Sequence, residues 1–418
     1  MSELKHLHTY VVVSVGYGAF MFTDGVMRMI LLLHFHTLDF TPIQLAMIFL
    51  MYELVSMITN LYSGWIGAKF GMARTLYVGL IIQIIALGIL AQMNPDWSIA
   101  ASLVFVMVLQ GMSGAARNLT TTTSKSSLKI ITDNQEGLLF KWAARLTGSK
   151  NFIRGVGFLA GAVFLSLFGF SNSLILIAGF LAVVTVGVVI VGVSNLPAGE
   201  KSIRLREVFS KNQNVNSLAM ARMFLYGARD VWFVVGFPIY LFEVISDGSL
   251  AGDMRACLLV GLFTGVWIVV YGMIQTFSPN FVKYDNLPVL TLVQYLKKWG
   301  RGIPAILFIL GGLTFLEHMN FNWIPATLIL GLFIIGYIFA ISSSIHSFLI
   351  LAFSQSSRVT LDVGYYYMAN SGGRVIGTFL SGLSFQVGGI SLCLFTASAM
   401  ALLAWFASLR IKPAPALI

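Results

Sequence analysis

Nine ionisable residues stand inside apolar stretches of this chain, and their types and spacing suit the handling of an anion. Asp24 and Arg28 are four apart, so they share a helical face with Tyr17 and Met21. That pair reads either as a self-contained ion pair or as a site in which Arg28 meets a ligand and Asp24 orients it. Glu53 shares a face with Asn60 and has no basic residue within a turn of its own helix. An unpaired buried carboxyl readily holds a proton, so Glu53 is the first candidate for proton coupling, with Asp24 and Asp230 behind it. The alternative for Glu53 is a structural bond to another helix. At ~100° per residue, Arg117, Thr121 and Lys125 fall within about a quarter turn, where basic groups and hydroxyls suit an oxyanion. The same run also reads as a basic loop. Lys141 and Arg145, then Lys150 and Arg154, are two pairs that point to roughly opposite faces. The first pair is assigned to the cytoplasmic mouth, and Lys150 and Arg154 to the interior. Arg222, Tyr226 and Arg229 form a further stripe with Asp230 beside it, and Tyr367, Asn370, Ser371, Arg374 and Thr378 form another.

Six deep cations (Arg28, Lys150, Arg154, Arg222, Arg229 and Arg374) face three deep anions, Asp24, Glu53 and Asp230. An empty cavity of low dielectric with that excess draws an anion. Arg outnumbers Lys, which favours forked contact with phosphate, carboxylate or arsenate oxygens. An apolar or cationic ligand would find such a cavity unfavourable.

The elements that position these residues are membrane spans. The chain has 418 residues, of which 57% are hydrophobic and only 10% charged. Soluble chains are about 45–50% apolar and about 25% charged, so a water-soluble enzyme, a disordered chain and a small secreted module are excluded. Mean hydropathy is +0.86. Each span needs about 20 apolar residues. Apolar runs at 10–35, 42–65, 73–93, 98–124, 146–168 and 172–195 precede a polar, basic break. Runs at 216–243, 255–279, 302–318, 323–347, 359–386 and 389–410 follow it. The expected fold is therefore an all-α polytopic membrane protein of twelve transmembrane helices. Its expected domains are an N-terminal six-helix bundle at 1–195, a cytoplasmic linker at 196–214 and a C-terminal six-helix bundle at 215–418. The first run exceeds a signal-peptide core and no small-residue cleavage site follows, so it reads as a retained span.

The net charge is +10 and the isoelectric point about 9.6. In a soluble protein that would suggest nucleic acid. Here it reflects loops rich in Lys and Arg on one side of the bilayer, and no nucleic-acid partner is expected. The other side carries Arg255 among acids such as Asp39, Asp96, Asp247 and Asp253. The positive-inside rule then places both termini in the cytoplasm. Tyr17-Gly18-Ala19 returns half the chain later as Tyr226-Gly227-Ala228, consistent with two related halves around a midplane site. Cys257 and Cys393 are far apart in apolar runs, which gives neither a disulfide framework nor a metal-ligand spacing. No cofactor or metal is expected. The six His residues lie in no catalytic motif, so an enzyme is not expected, and a non-transporting receptor or membrane enzyme is the remote alternative.

The architecture resembles the major facilitator superfamily. The loop after the second span, Gly64-Trp65-Ile66-Gly67-Ala68-Lys69-Phe70-Gly71-Met72-Ala73-Arg74, is similar to that superfamily's glycine and basic signature, with Ala68 where Asp is usual. Gln110-Gly111 matches part of a second signature, with Met107 in place of its Arg. A closer resemblance is carried by Thr23-Asp24-Gly25-Val26-Met27-Arg28, Lys141-Trp142, Leu146 to Asn151, Gly227 to Phe233, and Tyr366 to Arg374. These segments look like the organoarsenical efflux permeases of bacterial arsenic operons. That resemblance implies export of 1-arseno-3-phosphoglycerate across the bacterial inner membrane, with a functional link to a glyceraldehyde-3-phosphate dehydrogenase that makes it from arsenate. Trivalent arsenic would favour clustered thiols, whereas a pentavalent arsenate ester mimics phosphate and suits Arg and Lys. The expected partners are thus a small anionic organoarsenical or organophosphate substrate, protons and the lipid bilayer. The expected mechanism is alternating access with proton antiport, and the alternative is exchange of organic for inorganic phosphate without protons.

Overall fold

The computed structural model describes residues 2–132, 136–192, 212–282, 289–316, 323–354 and 359–412. Long helices account for nearly all of them, and no strand occurs among the described residues. In chain order they are α1 Ser2–Thr37, α2 Pro42–Phe70, α3 Met72–Leu90, α4 Ile99–Thr132, α5 Glu136–Val191, α6 Gln213–Val231 and α7 Phe237–Ile245. Then come α8 Leu250–Val282, α9 Val289–Gly300, α10 Gly302–Phe315, α11 Ile324–Phe353 and α12 Val359–Leu409. Eight helical stretches among the described residues are long and apolar enough to cross a membrane. Their outward faces are apolar: Leu167, Val183 and Ile190 are 69%, 74% and 78% exposed. Water would penalise such a surface, whereas hydrocarbon matches it, and a helix satisfies its own backbone there. The chain is a multi-pass membrane protein.

Two of the expected boundaries need correction. The segment Gly64 to Arg74 is not a loop: α2 runs to Phe70, α3 starts at Met72, and only Gly71 separates them. Gly71 has φ 86°, which glycine adopts without steric cost. The run 216–243 is not one uniform helix either. A π-helical turn at Trp232–Gly236 joins α6 to α7. Pro238 has no backbone N–H to continue the α-helical ladder. Ser381 Oγ accepts hydrogen bonds from Val235 N and Gly236 N, both at 3.2 Å, and so holds the distorted turn. In addition, α9 forms where only a basic connection was expected. It buries Leu292, Val293 and Leu296, and places Lys297 and Lys298 in its last turn, where cations favour the helix dipole. Lys297 Nζ donates to Ile411 O at 3.0 Å.

The chain forms two compact units. Unit 1 comprises residues 1–38, 51–205 and 257–272. Within it α1 lies against α5 at backbone contact. A Cβ on Gly157 would come within 2.5 Å of Phe22 O, and one on Gly25 within 2.6 Å of Arg154 O. The small-residue edge at Gly157 and Gly161 therefore brings the charged faces of α1 and α5 together. Val13, Phe20, Leu76, Leu80 and Leu181 form the apolar core beside it. Unit 2 comprises residues 39–50, 206–256 and 273–418, and α6 packs along α12 within it. Trp232, Phe237, Phe339 and Tyr366 are fully buried there.

Candidate functional site

In unit 1, three guanidiniums and two carboxylates meet. Arg28 of α1 donates from Nη2 to Glu53 Oε1 of α2 at 2.7 Å, and its Nε lies 3.7 Å from Asp24 Oδ1. Arg154 of α5 reaches Asp24 Oδ2 at 3.2 Å, and Arg117 of α4 reaches Glu53 Oε2 at 3.8 Å. Tyr52 binds the cluster together. Its hydroxyl donates to Asp24 Oδ1 at 2.6 Å, and its ring centroid lies 4.0 Å from the Arg28 guanidinium carbon. Asp24, Tyr52 and Glu53 are fully buried. Charges at that depth persist only when paired, and this network pairs each of them, although Asp24 Oδ2 and Arg154 Nε are buried without a hydrogen bond among the described residues.

Unit 2 holds a different arrangement. Arg229 donates to Asp230 Oδ1 from Nε at 2.7 Å and from Nη2 at 2.5 Å, while Arg374 Nε of α12 donates to Asp230 Oδ2 at 3.0 Å. One carboxylate therefore serves two guanidiniums. Arg222, a turn and more earlier on α6, is held by neutral acceptors. Its Nε donates to Asn370 Oδ1 at 3.1 Å, its Nη1 to Ser343 O and Oγ at 3.0 Å each, and its Nη2 to Tyr226 OH at 2.8 Å. Gln275 Nε2 donates to the same Ser343 Oγ at 3.0 Å. Tyr226 lies close to both cations, with its ring centroid 4.0 Å from the Arg222 and 4.8 Å from the Arg229 guanidinium carbon. Neutral dipoles orient a guanidinium without neutralising it, so this cluster keeps the positive charge of Arg222. No group of His, Cys, Asp and Glu among the described residues could hold a metal ion, and both cysteines are buried and unbridged.

No protein-family model and no curated protein matches the sequence. Solved structures match in fold. The crystal structure of a point mutant of the nucleoside transporter NupG superposes with a TM-score of 0.68 at 15% identity, covering 98% of this chain and all of that one. A POT family transporter in complex with a thioalcohol-conjugated peptide gives 0.69 at 12% identity, covering 95% and 94% of the two chains. Another, in complex with 5-aminolevulinic acid, gives 0.70 at 13% identity, covering 97% and 96%. The chain shares the fold of these transporters. These three neighbours are transporters, and identities this low carry the fold and no substrate.

The transporter fold brings most of the expected site residues together. Asp24, Arg28, Glu53, Arg117 and Arg154 share the unit 1 cluster, and Arg222, Tyr226, Arg229, Asp230, Asn370 and Arg374 share the unit 2 cluster. Glu53 has no basic neighbour on its own helix, but α1 and α4 supply two. Thr121 Oγ1 approaches Tyr17 OH at 3.5 Å, and the side chain of Lys125 lies outside the described residues, as do those of Lys141 and Arg145. Lys150 lines a separate cavity between α1 and α5, which parts it from the assignment it shared with Arg154. Tyr367 packs edge-on against Tyr366, and it is Tyr366 that lies under Arg222, at 5.3 Å. Sequence reasoning missed Tyr52, Gln275, Ser343 and Tyr366. Their types are ordinary in apolar helices, and only the Ser342-Ser343-Ser344 run ahead of His346 in α11 marked a polar patch.

Proposed function

We propose that this chain is a secondary active transporter that exports a small organic polyanion, with 1-arseno-3-phosphoglycerate as the cargo. The observation that carries the reading is the unit 2 cluster, where Arg229 and Arg374 share the carboxylate of Asp230 and Arg222 is held by the neutral acceptors Asn370, Ser343 and Tyr226. Positive potential buried with few anions favours a ligand that brings its own. The planar guanidinium matches phosphate, arsenate and carboxylate groups in a bidentate manner. The arsenical itself comes from the resemblance of the segments around Asp24, Arg229 and Arg374 to organoarsenical permeases. Twelve crossings with both termini in the cytoplasm complete the reading. In support, α5 and α12 are each long enough to cross twice and break near their middles at Gly169 and at Gly388-Gly389. The inner membrane of a bacterium is the proposed location.

Transport couples to protons, on this reading, by competition for guanidinium. A cargo anion that takes Arg28 displaces Glu53, and the displaced carboxylate then accepts a proton. A second reading, exchange of organic for inorganic phosphate, is favoured by one observation: Asp24, Glu53 and Asp230 each already sit on a guanidinium. Uptake of radiolabelled 3-phosphoglycerate and of the arsenate ester into inverted vesicles tests both. Arg229→Ala and Arg374→Ala should abolish uptake while the protein still reaches the membrane, and normal transport in both removes the site. Glu53→Gln should lose dependence on the pH gradient. Uptake that requires phosphate on the far side and ignores the gradient in the wild type selects exchange.

A further inference from the structure

A cavity of about 570 Å³ lies between α1 and α5 in unit 1, and neither guanidinium cluster accounts for it. Its wall is graded. Tyr10, Ser14, Ser149 and Lys150 are among its lining residues, and Phe22 and Phe180 line it as well. Tyr10 opens the apolar run 10–35, and Lys150 stands one turn inside the run 146–168, so both belong at the edge of the hydrocarbon. Phe22 is twelve residues beyond Tyr10 on the same helix, about 18 Å deeper at ~1.5 Å per residue. Val11, Val15 and Phe180 are about half exposed, which opens the groove on the outer face of the bundle, where the surrounding solvent is lipid. Ser14 Oγ is buried with no hydrogen-bond partner among the described residues.

We propose that this groove binds one anionic phospholipid, with an acyl chain along Phe22 and Phe180 and the headgroup phosphate on Lys150. The gradient from polar edge to apolar depth is that of the lipid itself. A lysine at the interface keeps its ammonium at headgroup level while its stem lies along apolar surface, and such cations attract anionic lipids. Ser14 then supplies a hydroxyl to the ester region. Lipid binding here depends on the spans and not on the cargo.

Native mass spectrometry of the full chain, purified in detergent and supplied with phosphatidylglycerol or phosphatidylcholine, tests it. The wild type should retain phosphatidylglycerol at least five-fold better than phosphatidylcholine. Lys150→Glu should lower retention of phosphatidylglycerol at least five-fold and leave phosphatidylcholine unchanged. Val15→Trp, which fills the groove from an exposed position, should lower both, and Arg255→Glu should change neither. If Lys150→Glu does not elute as a monodisperse protein, Lys150→Gln and Val15→Trp carry the test. Equal retention of the two lipids by the wild type, or wild-type retention in the Lys150 and Val15 variants, overturns the proposal. So does displacement of the lipid by free glycerol phosphate at equal concentration, which would show a headgroup site without an acyl chain.

Discussion

The two units solve the same electrostatic problem differently. Among the described residues each buries three arginines on long apolar helices, but unit 1 matches them with Asp24 and Glu53, and unit 2 with Asp230. In unit 1 guanidiniums from α1, α4 and α5 meet the carboxylates of α1 and α2, and Tyr52 ties the network with a hydrogen bond and a ring. In unit 2 Arg222 is oriented by an amide, a serine and a tyrosine. The lesson is one of degree. Three arginines against two carboxylates leave one excess positive charge in unit 1, and three against one leave two in unit 2, so unit 2 holds the larger uncompensated potential.

The largest expected effects would break that contrast outright. Arg222→Gln and Arg374→Gln should each cut anion uptake by about a hundred-fold or more. Loss of a buried, hydrogen-bonded charge from a binding site costs about 2–5 kcal/mol. Arg117→Gln, at 3.8 Å from Glu53, should have a smaller effect on uptake. Next comes stability. Asp230→Asn removes the carboxylate that Arg229 and Arg374 share, whereas Glu53→Gln leaves Arg28 beside Asp24. Breaking a buried pair costs about 3–5 kcal/mol, so Asp230→Asn should lower the melting temperature in detergent more than Glu53→Gln does. Equal losses would remove the distinction between the units.

Smaller effects sharpen it. Arg222→Lys keeps the charge and loses the fork that Asn370, Ser343 and Tyr226 hold, so KM should rise about ten-fold with little loss of protein. Tyr52→Phe keeps the ring over Arg28 and loses the bond to Asp24. It should cost about 1.5–3 kcal/mol of stability, read as a fall in melting temperature, and leave KM within about two-fold.

The fold was legible because lipid imposes a simple rule: apolar runs of sufficient length become helices, and charge inside them must be paired or used. The helical face shared by Asp24 and Arg28 and the stripes on α6 and α12 could be read from spacing alone. Partners across helices could not. Nothing in one dimension says that Glu53 meets Arg28, that Ser343 faces Arg222, or that Tyr52 rather than another aromatic closes the unit 1 network. The π-helical turn was hidden too, because Pro238 can kink, end or bulge a helix. Which of these it does depends on Ser381, which reaches the turn from another helix.

Equilibrium binding to the purified chain tests the central claim most directly. The wild type should bind 3-phosphoglycerate, more weakly as ionic strength rises, and should ignore uridine and a neutral dipeptide, with Arg222→Gln binding the anion at least ten-fold more weakly. Tight binding of the nucleoside or the peptide, with no response to 3-phosphoglycerate or to the loss of Arg222, would contradict an anion pocket built from buried guanidinium.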